Sequence, residues 1–292
     1  MQENAMRVGW MNGKILKEEE MVLPVRDLGI LRGYGVFDFL RTYGQHPFHL
    51  DDHLNRLKHS ASQIALTIPY SLKEMEDAIR LVLKESDMED AAFRIVCTGG
   101  ASQDSMTSRQ GVTMFILLDP IKIFPAEWYK NGVKIITYKH MRYRPETKSL
   151  NYIPAMEAMH LAEEAAAVEA LYCDETKRIL EGSTSNIFLC KNGRWFTPGR
   201  DILKGITRQV VINLIGKDNL HTGDLFLRDL IEADEVFITA SSKEIMPVSQ
   251  VDDHFYGKGP GPETLKLMTS FRDYVSSPEK WKPMKDVFNG SV

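Results

Sequence analysis

The sequence predicts a mixed α/β (α+β) protein of two lobes, and three observations carry that prediction. The chain has 292 residues, more than one small core organises. Short β-type apolar runs alternate with amphipathic helical stripes in both halves. Near the middle, Asp119-Pro120 and the following IKIFPAEWYKNG, with Pro125 inside and Asn131-Gly132 at the end, interrupt that patterning. A small N-terminal α/β domain is therefore expected at 1–119, a connector at 120–132 and a C-terminal domain at 133–292.

The opening MRVGWMNGKIL predicts a hairpin about Asn12-Gly13, a pair that tolerates positive φ. RGYGVFDFLRTYGQHPFHL follows as a second β unit, with glycines at its start and a turn at Tyr43-Gly44-Gln45. Asp51 or Asp52 is the expected cap of a helix striped by Leu54, Leu57, Ala61 and Ile64. LKEMEDAIRLVLKES predicts a second helix, and AFRIVCTGG and VTMFILLDP two strands, the latter apolar enough to be central. In the second half, VKIITYKHM opens as a strand, and Asn151 and Pro154 begin an Ala-rich helix. EALYCD, SNIFLCKNG and GRWFT are short strands, TRQVVINLIGK a helix, EADEVFITASS ends in a strand, and PETLKLMTSFRDYV is the last helix.

Composition excludes several classes. A net charge of −4 argues against a nucleic-acid surface, which needs a concentrated excess of Lys and Arg. Cys97, Cys173 and Cys190 lack metal spacing and cannot all pair, so they suit a reducing, cytoplasmic compartment. The start MQENAMRVGWMNGKIL has no apolar run after a charged segment, so no signal peptide is expected, and no stretch is long and apolar enough for a spanning helix. His49 and His53 are four apart, but no third ligand accompanies them, so no metal is expected.

Three short motifs carry chemistry. Lys148, in TKSLNYIPAM, has polar neighbours in Thr147, Ser149 and Asn151, and Tyr152, Ile153 and Met156 available to desolvate its amine. Desolvation lowers an ammonium pKa and makes the amine a nucleophile that forms imines. Taken alone, such a lysine is ordinarily a solvated surface group. Glu181, in LEGSTSNIF, is followed by small residues, among them Ser185 and Asn186, that leave room for a flat ring. A carboxylate at a pyridine nitrogen keeps that nitrogen protonated, and the ring then accepts a carbanion's electrons. Gly205-Ile206-Thr207 precedes a helix beginning near Arg208, with Thr207 as the expected cap; free N–H groups there suit a phosphate dianion. Arg56 in HLNRL is a candidate charged partner, although a helix Arg taken alone is ordinarily solvated, and Ser241 and Ser242 after the strand VFIT are further hydroxyl and N–H donors. Amine, carboxylate and phosphate cradle are the three needs of pyridoxal 5'-phosphate.

With those residues in view, the chain resembles the class IV pyridoxal-phosphate aminotransferases of fold type IV. That family includes branched-chain aminotransferases, D-amino acid transaminases and aminodeoxychorismate lyases. The resemblance runs from RGYGVFDFLRT to ITASSKEIMPV and rests on Glu-x-Ser-x-x-Asn-Ile-Phe at 181–188 and Leu-x-Gly-Ile-x-Arg at 203–208. It implies that Lys148 links covalently to the cofactor and Glu181 meets its ring nitrogen. Arg56, Ile206, Thr207 and Ser241 would hold the phosphate, Tyr152 would lie near the cofactor, and Phe37 would line the substrate pocket. Further implications are a smaller N-terminal and a larger C-terminal lobe, and a homodimer in which a loop of each subunit closes the other's pocket. Lys148 would then shuttle the substrate's Cα proton, with a lid loop excluding water.

The substrate signals fit neither familiar subgroup. Where D-amino acid transaminases carry Arg-x-His, this chain has Gly99-Gly100-Ala101-Ser102-Gln103. Where branched-chain enzymes carry Tyr-x-Arg, it has Arg94 with Ala92 two before, and Ala240-Ser241-Ser242 replaces their Gly-Thr-Ala run. Arg32 and Arg94 are candidate carboxylate partners, arginine matching that geometry with paired donors, which points to 2-oxoglutarate and glutamate. The competing reading pairs Arg94 with Asp38 or Glu244. Phe37, Phe39 and Met246 favour aliphatic partner side chains, and Ser242 completes the substrate set. An aminotransferase of branched-chain L- or D-amino acids is the leading reading. An aminodeoxychorismate-type lyase is the alternative, and a non-catalytic cofactor binder is third.

Overall fold

A computed structural model of the chain describes residues 7–108, 111–284 and 287. Two compact units form: Met1–Lys122 with Thr147–Asn151 and Pro278–Val292, and Ile123–Glu146 with Tyr152–Ser277, each taken over its described residues.

The first unit contains β1 Val8–Met11, β2 Lys14–Lys17, α1 Leu28–Arg32, β3 Gly35–Tyr43, β4 His46–Pro47, α2 Leu50–Gln63, α3 Leu72–Glu85, β5 Ala91–Thr98 and β6 Thr113–Pro120. Its antiparallel sheet runs β2-β1-β6-β5-β3-β4, so the apolar β6 and β5 are central as their composition requires. The β1–β2 turn places Asn12 at φ 46° and Gly13 at φ 91°, the positive pair that a two-residue hairpin demands. α2 and α3 cover one face of the sheet, burying Leu54, Leu57, Met75 and Ile79 with Leu40, Phe93 and Ile95. Strand alternation then decides the site. On β3, Val36, Asp38 and Leu40 share one face while Phe37 and Phe39 share the other, and Arg94 of β5 stands opposite Phe39.

Two helix details differ from the sequence expectation. The residue capping α2 is His49, at φ 48°, not Asp51 or Asp52. Asp52 lies in the first turn, its carboxylate 2.7 Å from His49 Nδ1 and accepting from Met284 N–H at 2.9 Å. α1 is unforeseen because it is only five residues long, too short for a periodic stripe. Its start is marked by Asp27, whose side chain accepts from Gly29 N–H at 2.7 Å.

The second unit contains α4 Ala126–Asn131, β7 Val133–Lys139, α5 Ile153–Glu164, β8 Ala170–Cys173, β9 Arg178–Gly182, β10 Asn186–Lys191, β11 Arg194–Pro198, α6 Ile206–Ile215, β12 Leu220–Gly223, β13 Leu225–Phe226, α7 Leu227–Ile231, β14 Glu235–Ala240, β15 Glu244–Val251, β16 His254–Phe255 and α8 Pro262–Val275. The sheet path is β12-β11-β10-β14-β15-β7-β8-β9-β13, with β16 on β15. Its core gathers Ile135, Leu171, Ile187, Leu189, Val236, Ile238 and Met246. Ala158 and Ala162 of α5 pack with Tyr172 and Leu180 in a second cluster, their small side chains letting the helix approach the sheet closely. Glu181 sits on a strand, β9, flanked by a short turn on either side. None of the helices is long and apolar enough to cross a membrane, among the described residues.

Candidate active site

Lys148 belongs to a segment that docks alongside β3. Leu150 N–H donates to Gly35 O at 3.0 Å, Phe37 N–H to Lys148 O at 2.9 Å, and Lys148 N–H to Ser60 Oγ at 3.0 Å. Ser149 also bridges to Val36. The lysine backbone is thereby held on both sides, and its Nζ lies 4.5 Å from the Phe37 ring centroid. Ile153 and Met156 are 68% and 70% exposed, and Phe37 is the apolar neighbour of the amine in the first unit.

Phe37, Phe39 and Arg94 share a face of the sheet, and the Arg94 guanidinium lies 5.8 Å from each ring centroid. Pairing of Arg94 with Asp38 is excluded by strand alternation, since Asp38 points to the opposite, helix-covered face. Glu244 is committed to Arg272 at 2.8 Å. Arg32, at the end of α1, is exposed and donates from Nη1 to Leu31 O at 2.8 Å.

Arg56 pairs with the buried Asp38 carboxylate, which the sequence reading offers only as a partner for Arg94. Its Nε and Nη2 donate to the two oxygens of Asp38, each at 2.8 Å, and His53 Nδ1 lies 2.7 Å from Asp38 Oδ1. Burial alone would raise the Asp38 pKa; Arg56 and His53 outweigh it and hold the group far below the usual carboxylate range. Burial lowers the His53 pKa, so the ring is neutral, donates from Nδ1 and leaves Nε2 buried without a partner among the described residues.

In the second unit, Glu181 accepts Arg142 Nε at 2.9 Å and Nη2 at 2.6 Å on Oε1, and Leu203 N–H at 2.9 Å on Oε2. Arg142 also donates to Pro145 O. The Tyr172 hydroxyl is buried with no partner among the described residues, and burial pushes its pKa up. Tyr152 caps α5.

The expected phosphate cradle is built differently from the sequence reading. Gly205, not Thr207, is the N-cap of α6, and no side chain caps the helix. A Cβ on Gly205 would sit 2.1 Å from Asn186 Oδ1, so only glycine admits the carboxamide there. Asn186 donates to Leu203 O at 2.9 Å and shapes the loop that enters the helix. Ile206 and Thr207 are buried in the first turn. In the same turn Arg208 donates to Thr197 Oγ1 at 3.3 Å and Pro198 O at 2.8 Å, and burial lowers its pKa to about 10. Ser241 and Ser242 occupy the β14–β15 turn, closed by Lys243 N–H to Ala240 O at 3.1 Å, and the preceding Thr239 Oγ1 is buried without a partner among the described residues. Ser185 Oγ donates to Glu169 at 3.0 Å.

Asp38 and His53 beside Arg56, Arg142 beside Glu181 and Glu169 beside Ser185 are partners of candidate residues that the expected set lacked. Asp38 and Glu169 left a signal: each is a lone acid inside an apolar run, VFDFL and AVEALYC. Arg142 left none, being one of several cations in KHMRYRPETK.

A lysine amine on a pinned backbone in the first unit and, in the second, a buried carboxylate gripped by Arg142 and a helix start with no side-chain cap are the features that the resemblance to class IV aminotransferases leads one to expect. Residues 35–251 match the model of that family, amino-transferase class IV, and the chain belongs to it. A Methanocaldococcus jannaschii protein provisionally named a branched-chain-amino-acid aminotransferase is 35% identical over 276 residues, covering 90% of this chain and 95% of its own. A Bacillus licheniformis D-alanine aminotransferase is 30% identical, covering 91% and 96%. The structure of a Thermoproteus uzoniensis branched-chain aminotransferase with norvaline superposes with a TM-score of 0.87 at 27% identity, covering 95% and 98%. The fold is type IV, and the family and its relatives make the chain a transaminase rather than a lyase.

Proposed function

We propose that this transaminase uses pyridoxal 5'-phosphate to move an amino group between an aliphatic amino acid and a dicarboxylic 2-oxo acid such as 2-oxoglutarate. The observation that carries the reading is Lys148, its backbone pinned beside β3 and its amine laid over Phe37. The residues present fit the cofactor. Glu181 has one acceptor position left on Oε2 after Leu203 and the Arg142 fork are satisfied, enough for a ring N–H. The start of α6, with Arg208 in its first turn and no carboxylate within ion-pair distance of that cation among the described residues, favours an anion. When bound, the cofactor supplies an aldehyde for amines and a protonated ring that accepts electrons from Cα.

The roles follow from the chemistry of each group. Lys148 would hold the cofactor through its aldehyde carbon and carry the proton at substrate Cα. Arg142 and the Leu203 N–H orient the Glu181 carboxylate, which would hold the proton of the ring nitrogen. The N–H groups of Ile206, Thr207 and Ser241, with Arg56, hold the phosphate, and Gly205, Ser185 and Asn186 shape the backbone that presents those donors. Tyr152 lies near the cofactor ring. Phe37 and Arg94 receive the substrate, with Arg32 and Ser242 as further partners. The relatives' names, branched-chain and D-alanine, bracket the substrate class.

The first unit leaves apolar side chains in solvent: Val25 is 82% exposed and Met106 72%, on two segments joined by the Asp27–Ala101 bridge. A second copy of the chain is the proposed cover, giving a homodimer. Three free, buried cysteines suit the cytoplasm.

Mixing the holoprotein with single amino acids tests the reading. The bound cofactor converts stoichiometrically from its aldehyde to its amine absorbance with an aliphatic amino acid, and 2-oxoglutarate converts it back. Pyruvate release from a bulky substrate without that cycle would overturn it. For specificity, Arg94→Ala raises the glutamate KM about tenfold or more, since charge-assisted hydrogen bonds contribute ~1.5–3 kcal/mol. The leucine KM stays within about twofold; equal increases would remove Arg94 from side-chain carboxylate binding.

A further inference from the structure

Glu169 lies at the entrance of β8 with its side chain wholly buried, and it collects donors from two separate turns. From the turn after β9 it accepts the Ser183 hydroxyl, Thr184 N–H at 3.2 Å, Thr184 Oγ1 at 2.7 Å and Ser185 Oγ at 3.0 Å. From the β14–β15 turn it accepts Lys243 Nζ at 3.0 Å, and Lys243 also reaches Thr184 Oγ1 at 2.6 Å. Lys243 is 7% exposed. The two turns meet here through one ion pair. Each carries residues given cofactor or substrate roles above: Ser185 in the first, Ser241 and Ser242 in the second.

We infer that the Glu169–Lys243 pair is a positioning clamp, which fixes the Ser241 turn against the Ser183–Ser185 turn so that the Ser241 donors face the cofactor phosphate. The inference rests on the proposed cofactor reading. Neither residue touches the cofactor; both act through the turns they join. Burial by itself raises the Glu169 pKa, but Lys243 and the hydroxyl donors of the first turn outweigh it and keep the group ionised. A buried, ionised pair is a stiff connector, because losing either partner strands the other charge. Position 243 lies two residues past Ser241, so a shift of its side chain rotates the turn itself.

The test separates positioning from bulk stability by using two ligands. Apo protein is titrated with pyridoxal 5'-phosphate and with pyridoxal, which lacks the phosphate, and thermal unfolding is followed without either. Lys243→Met weakens pyridoxal 5'-phosphate at least about tenfold and leaves pyridoxal within about twofold. The double variant Lys243→Met/Glu169→Gln, which strands no charge, regains apo-protein Tm but not pyridoxal 5'-phosphate affinity, since the first turn keeps its amide partner while the second stays untied. Should the single variant fail to fold, the double variant decides. Equal weakening of the two ligands, or full recovery of phosphate-ligand affinity in the double variant, overturns the clamp. Wild-type protein that binds neither ligand would instead bring down the cofactor reading on which the clamp depends.

Discussion

Lys148→Ala lowers turnover by roughly 10³-fold or more, because one amine serves as both the cofactor's attachment point and the proton carrier. Its fold should be unaffected. The three main-chain hydrogen bonds that dock the segment do not involve the side chain, and the half-buried amine's contact with Phe37 is a cation–π interaction of modest strength. The apo-protein Tm therefore stays close to wild type while transamination is lost. Added methylamine restores a small part of the rate, since a free amine replaces the missing proton carrier but not its placement. A variant retaining more than about a tenth of wild-type turnover would contradict the assignment.

Asp38→Asn carries the largest expected effect on stability, about 3–5 kcal/mol by urea unfolding. Asp38 and Arg56 are both buried, and the amide turns one acceptor toward Arg56 into a donor while stranding the guanidinium charge. Phosphate-dependent cofactor affinity falls with it, because Arg56 loses the group that fixes its orientation. A loss under about 1 kcal/mol would show that the pair is not the anchor described.

The same network sets a pH dependence. The folded-state pKa of His53 is depressed, so its contribution is complete above the ordinary value of 6.5 and is lost as pH falls from there through the folded pKa. Asp38 is depressed too, and its contribution persists until the medium is strongly acid. Wild-type stability therefore begins to fall below about pH 6.5, and His53→Asn removes that first phase, while Arg56 still holds Asp38 below the usual carboxylate range.

Much of the architecture is legible in the chain because long apolar runs and helical stripes report burial directly. β5, β6, α2, α3, α6 and α8 all coincide with patterns in the sequence. β9 and α1 do not, since five residues are too few to show a period and Glu181 interrupts the apolar count. The chemistry divides in the same way. Lys148, Glu181 and Gly205-Ile206-Thr207 are readable because local motifs surround them. Asp38 against Arg56 and Glu169 against Lys243 are long-range pairs, 18 and 74 residues apart, and no local pattern announces a partner so distant. Thr207 was expected as the cap because its hydroxyl suits that role, yet the helix begins two residues earlier at Gly205, where Asn186 leaves no space for a side chain.

The covalent role of position 148 is tested most directly by reducing the holoprotein with borohydride and mapping the peptide that carries the pyridoxyl mass. The label should fall on Lys148 alone, and Lys148→Ala should yield no labelled peptide. Stable modification at any other lysine, or none in wild type, would contradict the account.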